Sequence, residues 1–231
     1  MDSLSSGRIA QVLERLHREA QAADREFIEQ VMAEAQASGG GFDAVVAQLL
    51  ESEREDYRAR YRSHAQHFLS VSPAYGRFLY AMARARGAKR IVEFGTSMGV
   101  STLYLAAALR DNGGGHLIGT EFEPGKVAQA RANLDAAGLS DLVEIREGDA
   151  LETLQELDGE VDLLLIDGAW SLYLAVLRLV EPHLKTGAVV LGENSFDQEF
   201  RSYIRNPANG YLSQPLDLDP GRSNEFAVRT A

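Results

Sequence analysis

The residues of this chain best suited to bind a ligand lie in a short turn between a predicted strand and a predicted helix. Glu93 and Phe94 end an apolar strand, Gly95 and Gly99 frame the turn, and Val100 opens the helix. The hydroxyl-bearing residues around this turn are Thr96, Ser97, Ser101 and Thr102. Backbone N–H groups at a helix start bind anions, whereas an acid beside them suits a cation. The pattern therefore favours a ligand that carries both a carboxylate and an ammonium group.

The glycine spacing excludes a simple assignment to the dinucleotide-binding proteins. Those proteins carry G-x-G-x-x-G after their first strand, and this chain carries G-x-x-x-G over residues 95–99. A pyrophosphate needs bare backbone N–H groups, so the acid at Glu93 also argues against it. An amino-acid-like group fits the turn better.

An acidic residue also follows each of the other predicted parallel strands. Glu121, Asp149, Asp167 and Glu193 stand at these positions, and Asn194 follows the last of them. Ligands of parallel α/β sheets bind outside the carboxyl ends of the strands. One acid there usually charges the start of the next helix, but an acid on every strand favours a shared site.

The chemistry of these acids divides the predicted site. Glu121 is placed to accept the hydroxyls of a ribose, and Asp149 with Ala150 is placed to meet the edge of an adenine. Three strand-end residues offer only oxygen ligands, which suit Mg²⁺ or Ca²⁺ and not zinc. They are Asp167, Glu193 and Asn194. A hydrogen-bonded network without a metal is the alternative interpretation of these three residues.

The elements that position these residues alternate between strand and helix over residues 90–195. This alternation predicts a doubly wound parallel α/β sheet. Residues 161–167 are nearly all apolar, as expected of a strand buried on both faces. Residues 214–219 and 225–229 predict a closing pair of strands. We place the whole α/β domain at residues 64–231.

Residues 1–63 predict a helical extension ahead of that domain. Apolar residues recur at helical spacing from Ile9 to Met32 and again from Val45 to Leu50, with Gly39, Gly40 and Gly41 between the two stretches. An amphipathic helix needs a partner surface. The extension is therefore a cap over a substrate pocket, a dimerisation arm of a homodimer, or a solvated segment packed on the core.

Composition narrows the classes of function. The chain has 231 residues, a formal net charge of −11 and no cysteine, which excludes disulfides, thiolate metal sites and a cysteine nucleophile. The acidic balance argues against a nucleic-acid partner. No apolar run is long enough for a membrane span and no signal peptide is apparent, so we expect a cytoplasmic protein with no membrane partner.

Taken together, the motifs resemble the class I S-adenosylmethionine-dependent methyltransferases, and more narrowly the cation-dependent O-methyltransferases of the catechol and caffeoyl-CoA type. The matching segments are VSP at 71–73, VEFGTSMGVST at 92–102, TE at 120–121, GDA at 148–150, IDG at 166–168 and EN at 193–194. The resemblance covers residues 65–231. It implies a Rossmann-like, doubly wound and mostly parallel seven-stranded sheet with an antiparallel last strand.

The resemblance also implies S-adenosyl-L-methionine and a divalent cation, Mg²⁺ or Ca²⁺, as cofactors. The residues that it assigns to S-adenosylmethionine are Val71, Glu93, Gly95, Thr96, Ser97, Gly99, Ser101, Glu121, Phe122, Gly148, Asp149, Ala150, Asp167 and Trp170. Asp167, Glu193 and Asn194 become the metal ligands, and Asp167 also becomes catalytic. The partner is a small hydroxylated molecule, aromatic or natural-product-like.

The chain departs from this family at two positions. Glu193 stands where the family normally carries Asp, which shifts a metal-binding carboxylate by about one bond. Trp170 stands where the family carries its catalytic lysine, so the usual general base is missing. Trp170 suits stacking on an aromatic ring or a place in the core. His67 is the remaining candidate for the base, because an imidazole titrates near neutral pH.

Three functions are consistent with these residues. The first is methyl transfer from S-adenosylmethionine to a hydroxyl of a small molecule. The second is methylation of a hydroxylated tRNA nucleoside, against which the acidic composition speaks. The third is a non-catalytic S-adenosylmethionine-binding protein, for which the missing lysine and Glu193 are the indications.

Overall fold

The computed structural model describes residues 2–5, 7–219 and 222–231 of the chain. The α-helices are α1 (Gly7–Ala37), α2 (Gly41–Ser63), α3 (Pro73–Arg86), α4 (Val100–Asp111), α5 (Pro124–Ala137), α6 (Ala150–Thr153), α7 (Tyr173–Val180) and α8 (Gln198–Ile204). The strands are β1 (Arg90–Phe94), β2 (His116–Glu121), β3 (Val143–Glu147), β4 (Val161–Ile166), β5 (Leu184–Gly192), β6 (Tyr211–Leu216) and β7 (Asn224–Arg229).

The strands form one seven-stranded sheet in the order β3-β2-β1-β4-β5-β7-β6. Strands β1 to β5 pair in parallel, and β7 runs antiparallel to both β5 and β6. The predicted Rossmann-like fold is confirmed. The strand order reverses between β1 and β4, and ligands of such sheets bind beside that reversal.

Register brings the strand ends of the predicted site together. Phe94 at the end of β1 lies opposite Thr120 of β2 on one side and Ile166 of β4 on the other. All six residues of β4 are buried, as its apolar sequence predicted for a strand covered on both faces. The turn after β1 therefore lies between the acids that end β2 and β4.

The closing strands differ from their predicted bounds. β6 begins at Tyr211 instead of residue 214 and ends at Leu216 instead of residue 219, while β7 begins at Asn224. The strand contains Pro215, which a sheet tolerates because β6 is an edge strand. Tyr211 is buried and its hydroxyl donates to Glu181 at 2.8 Å, which anchors the strand earlier than its polar sequence indicated.

The N-terminal helices pack on the α/β domain in different ways. The first half of α1 buries Ile9, Leu13 and Leu16 in the same hydrophobic core as α3, α4 and β1. Ile28 and Met32 on its second half are 53% and 51% exposed. Helix α2 lies against the carboxyl ends of the strands. Whether the extension acts as a cap or as a dimerisation arm, and whether the protein is a homodimer, stay predictions.

None of the helices in the described ranges is both long and apolar enough to cross a membrane.

Candidate functional site

A cavity of about 860 Å³, including its open mouth, lies at the carboxyl ends of β1, β2, β3 and β4. The structure brings together in its wall most of the residues predicted to bind S-adenosylmethionine. They are Gly95, Thr96, Ser97, Ser101, Glu121, Phe122, Gly148, Asp149, Ala150 and Asp167. The remaining four predicted residues, which are Val71, Glu93, Gly99 and Trp170, lie outside this wall.

Glu93 lies beneath the turn and is completely buried. Its carboxylate accepts hydrogen bonds from the hydroxyls of Ser101 at 2.6 Å, Thr102 at 2.5 Å and Thr96 at 3.0 Å. Burial raises the pKa of Glu93, and the three hydroxyl donors oppose that rise. The hydroxyls that the sequence analysis placed around a ligand therefore bind the Glu93 carboxylate. Through these hydrogen bonds Glu93 fixes the conformation of the turn.

The turn approaches the neighbouring strand closely. Gly95 has a φ of 95°, and a Cβ on it would collide with the backbone carbonyl of Asp167. Ser97 has a φ of 47°, which is uncommon for a residue other than glycine. Its backbone N–H donates to Glu121 at 2.7 Å and its hydroxyl donates to the carbonyl of Phe68 at 2.7 Å. These bonds hold a strained backbone at the cavity wall, as is common at binding sites.

Glu121 connects the turn to the start of α5. Its second oxygen accepts the N–H of Glu123 at 2.8 Å. Burial raises the pKa of Glu121, while the Glu123 N–H and the Lys126 ammonium oppose this. Lys126 is buried in the same wall, and burial lowers its pKa. The sequence analysis missed Lys126, although its position one helical turn into α5 after the ribose-site acid was a signal.

Asp149 is tied to helix α2. One carboxylate oxygen caps α6 by accepting the N–H of Leu151 at 3.0 Å. The other accepts the hydroxyl of Tyr57 at 2.5 Å and the guanidinium of Arg58 at 2.5 Å. Tyr57 and Tyr61 line the cavity, so α2 forms part of its wall. The sequence analysis missed both tyrosines, whose i, i+4 spacing places them on one helix face.

The candidate base His67 lies outside the cavity wall. Its Nδ1 is 3.3 Å from Asp24 of α1, and its ring packs on Phe27 at 4.9 Å between centroids. The same Asp24 accepts the N–H groups of Phe68 and Leu69 and so holds the segment that enters the cavity. His67 therefore belongs to the contact between α1 and this segment.

Trp170 packs edge-on against Phe196 at 4.8 Å between ring centroids. Phe42 of α2 also packs against Phe196, at 5.7 Å between ring centroids. The residue at the family's lysine position thus takes part in an aromatic contact between α2 and the loop after β5.

The three predicted metal ligands have different environments. Glu193 is 1% exposed and forms an ion pair with Arg222. Burial and the charge of Glu193 raise the pKa of Asp167 well above its usual value. Asn194 has a φ of 49°, and its backbone N–H donates to Asn224 at 2.9 Å. Across residues 2–5, 7–219 and 222–231, no three His, Cys, Asp or Glu side chains are grouped as metal ligands.

This arrangement does not fit a divalent cation. One oxygen of Glu193 is already paired with a guanidinium. A Mg²⁺ ion requires near-octahedral geometry with its oxygen ligands free to bind it. It would also place two positive charges beside the guanidinium of Arg222. The sequence analysis missed Arg222, because nothing in its local sequence indicates a contact with β5.

The central part of the chain is similar to proteins of known family. Residues 92–195 match the family described as "Methyltransferase domain". The chain is 36% identical over 130 residues to the catechol O-methyltransferase of Niastella koreensis, which covers 54% of this chain and 58% of that protein. It is 35% identical over 127 residues to the catechol O-methyltransferase of Mycobacterium tuberculosis, covering 54% and 57%. The chain therefore spans less than two thirds of the curated relatives that it matches.

Solved structures extend the similarity over more of the chain. The O-methyltransferase from Bacillus cereus in complex with SAH has a TM-score of 0.66 and 26% identity, and the match covers 79% of this chain and 91% of that one. The O-methyltransferase TomG from Streptomyces achromogenes in complex with SAM has a TM-score of 0.63 and 25% identity, covering 71% and 82%. The predicted resemblance of this chain to the class I S-adenosylmethionine-dependent O-methyltransferases is confirmed.

Proposed function

We propose that this protein transfers a methyl group from S-adenosylmethionine to a hydroxyl oxygen of a small, aromatic or natural-product-like molecule. The observation that carries the proposal is the cavity beside the strand reversal, where the turn after β1, Glu121 and Asp149 form one wall. The names of the curated relatives support the choice of a hydroxyl acceptor.

The residues of the cavity are suited to S-adenosylmethionine. The turn at Gly95–Ser97 offers backbone groups to the amino-acid end, Glu121 offers a carboxylate to the ribose, and Asp149 with Ala150 faces the adenine. When bound, S-adenosylmethionine supplies a methyl group on a positively charged sulfur. The protein contributes by orienting the two reactants and by excluding water, which are large effects in group transfer.

The acceptor side of the proposal relies on orientation more than on a dedicated base. Trp170 replaces the lysine that the family resemblance implies, and His67, the alternative base, is held by Asp24 outside the cavity wall. An acceptor whose hydroxyl already loses its proton near neutral pH needs less assistance. We therefore expect acidic phenols to react faster than aliphatic alcohols.

The divalent cation is not part of the proposed mechanism. Asp167, Glu193 and Asn194 were predicted to bind it, and the donor set that they form is better suited to a guanidinium. The proposal that S-adenosylmethionine is bound does not depend on the cation.

The test of this function is methyl transfer from labelled S-adenosylmethionine to a panel of phenols, catechols and aliphatic alcohols, with and without divalent ions. Binding of S-adenosylmethionine is measured in parallel by calorimetry. Glu121→Gln should weaken binding by about tenfold or more, because a charged hydrogen bond is lost. Glu123→Gln is the matched control, since only the backbone of Glu123 contacts Glu121.

Two outcomes would contradict the proposal in different ways. If S-adenosylmethionine does not bind, the assignment of the cavity is wrong. If it binds tightly and no acceptor is methylated, the non-catalytic binding protein is favoured, for which the pairing of Glu193 with Arg222 and the loss of the lysine are the specific observations. A gel shift with bulk tRNA tests the nucleoside acceptor.

A further inference from the structure

The segment between β6 and β7 places an arginine beside the end of β5. The guanidinium of Arg222 donates to Oε1 of Glu193. The Glu193 side chain is 1% exposed, whereas the Arg222 side chain is 32% exposed. The side chain that neutralises this buried carboxylate is therefore itself partly exposed.

A second buried group, the Tyr75 hydroxyl, lies close enough to Glu193 and Asp167 to be affected by their charges. Tyr75 of α3 is completely buried, and among the described residues its hydroxyl has no hydrogen-bond partner. Burial raises the pKa of Tyr75 well above its usual value, and the charges of Glu193 and Asp167 raise it further. A buried hydroxyl without a partner costs free energy, so its persistence here points to a ligand.

The charges around Glu193 come from three segments of the chain. Asp167 follows β4, Arg222 precedes β7, and Asp219 follows β6 and accepts the hydroxyl of Ser72 at 2.8 Å. Among the residues that the structure describes, the cation that contacts Glu193 is the guanidinium of Arg222. Since a guanidinium remains charged at every pH of interest, it supplies a permanent positive charge at this position.

We propose that Arg222 replaces the divalent cation of the related enzymes and that those of its N–H groups not paired with Glu193, together with the Tyr75 hydroxyl, bind the acceptor oxygen. This inference rests on the proposed methyl transfer. It also defines the class of acceptor. A metal ion selects two adjacent oxygens by chelation, whereas a guanidinium needs a single negatively charged oxygen. Acidic monophenols are therefore substrates as good as catechols.

The metal-binding part of the inference is tested on the intact protein by calorimetric titration with MgCl2 and MnCl2. We expect no binding to the wild-type chain. Arg222→Ala exposes Asp167 and Glu193 and should create Mn²⁺ binding. Arg205→Ala is the matched control, because Arg205 pairs with Glu225, which is also 1% exposed and lies on β7 away from the cavity. That variant should gain no metal binding.

The catalytic part is tested by methyl transfer to a monophenol and to a catechol, in EDTA and in Mg²⁺. The wild-type rate should be the same in both solutions and for both acceptors of matched acidity. Arg222→Ala should lower the rate in EDTA by about a hundredfold, which is the usual loss when one charge-stabilising donor is removed. Arg222→Lys keeps the charge and should retain an intermediate rate without gaining metal binding, which covers the case in which the alanine variant does not fold.

The inference is overturned if the wild-type chain binds Mg²⁺ or Mn²⁺, if EDTA abolishes its activity, or if Arg222→Ala retains the wild-type rate. Absence of methyl transfer in every sample would instead defeat the proposed function. In that case the titrations would still decide whether Arg222 occupies the place of a metal ion.

Discussion

The candidate site has two halves, one at the carboxyl ends of β1 and β2 and one at the carboxyl ends of β4 and β5. The two halves stabilise their carboxylates in different ways. At the ends of β1 and β2, hydroxyls and backbone N–H groups donate to the acids: three hydroxyls bind Glu93, and two backbone N–H groups bind Glu121, which also feels the charge of Lys126. At the ends of β4 and β5, the guanidinium of Arg222 stabilises Glu193. The first half presents polar groups of fixed geometry to a ligand, whereas the second presents a permanent positive charge.

This difference explains why the two halves agree to different degrees with the family resemblance. The hydroxyls that bind Glu93 are close to it in sequence, in the turn that follows β1 and in the first turn of α4. In the second half, by contrast, the arginine that pairs with Glu193 comes from a distant segment of the chain. The first half therefore keeps the family pattern, and the second half departs from it at Trp170 and Glu193.

The largest effect is expected at Gly95, which joins the two halves. Gly95→Ala introduces a Cβ at a φ of 95° that collides with the carbonyl of Asp167, so we expect a loss of about 3 kcal/mol in the free energy of unfolding. Gly114→Ala is the control, because its φ is 96° and a Cβ there contacts nothing. It should cost only about 1 kcal/mol in chemical denaturation. Equal losses would contradict the close packing of the halves.

The second prediction concerns the pH dependence of the first half. The pKa of Glu93 is raised by burial, so the protonated form favours folding and its contribution is lost as pH rises through that pKa. Glu93→Gln removes this titration. The stability of the wild-type chain relative to the variant should fall as pH rises from 4.5, the ordinary value for Glu. A difference that does not change between pH 4 and 8 would show that burial does not raise the pKa of Glu93.

The third prediction tests the contact between helix α2 and Asp149 at the cavity. Tyr57→Phe removes the hydroxyl that binds Asp149 and should cost about 1 kcal/mol of stability and weaken S-adenosylmethionine binding several-fold. Tyr80→Phe is a matched control, since its hydroxyl donates to Asp111 at 2.6 Å outside the cavity wall. Burial and a neighbouring carboxylate raise the pKa of each phenol to about 12.

Calorimetry and denaturation of the two tyrosine variants separate stability from cofactor binding. Both variants should lose similar stability, and only Tyr57→Phe should lose affinity. A similar loss of affinity in Tyr80→Phe would show that α2 has no specific role at the cavity.

The smallest effect on stability is expected in the second half. Tyr75→Phe removes a buried hydroxyl that has no partner in the described residues, so the free energy of unfolding should stay the same or rise by about 1 kcal/mol. The KM for the acceptor should rise, because the hydroxyl is proposed to bind it. Unchanged kinetics would remove Tyr75 from the acceptor site, and a large loss of stability would show that the hydroxyl has a structural partner.

The sheet and the first half of the site could be predicted because their signals are local. The apolar run of β4 indicated a strand buried on both faces, and the turn at residues 95–99 indicated a ligand beside it. The three hydroxyl partners of Glu93 were not predicted, since a sequence does not tell whether a carboxylate faces a ligand or the hydroxyls around it.

The contact of helix α2 with the cavity wall and the second half of the site depend on contacts between distant segments. Tyr57 reaches Asp149 across 92 positions of the chain, and Arg222 reaches Glu193 across 29. Neither contact leaves a periodic pattern in its own segment. Arg222 also lies in the connection between the two closing strands, whose bounds the sequence analysis placed only approximately.

A crystal structure of the protein grown with S-adenosylhomocysteine and MnCl2 tests the contrast between the two halves most directly. The account predicts the nucleoside along Ser97, Glu121 and Asp149, with Arg222 still paired to Glu193 and no anomalous manganese signal beside Asp167. A manganese ion bound between Asp167 and Glu193, with Arg222 displaced, would contradict it.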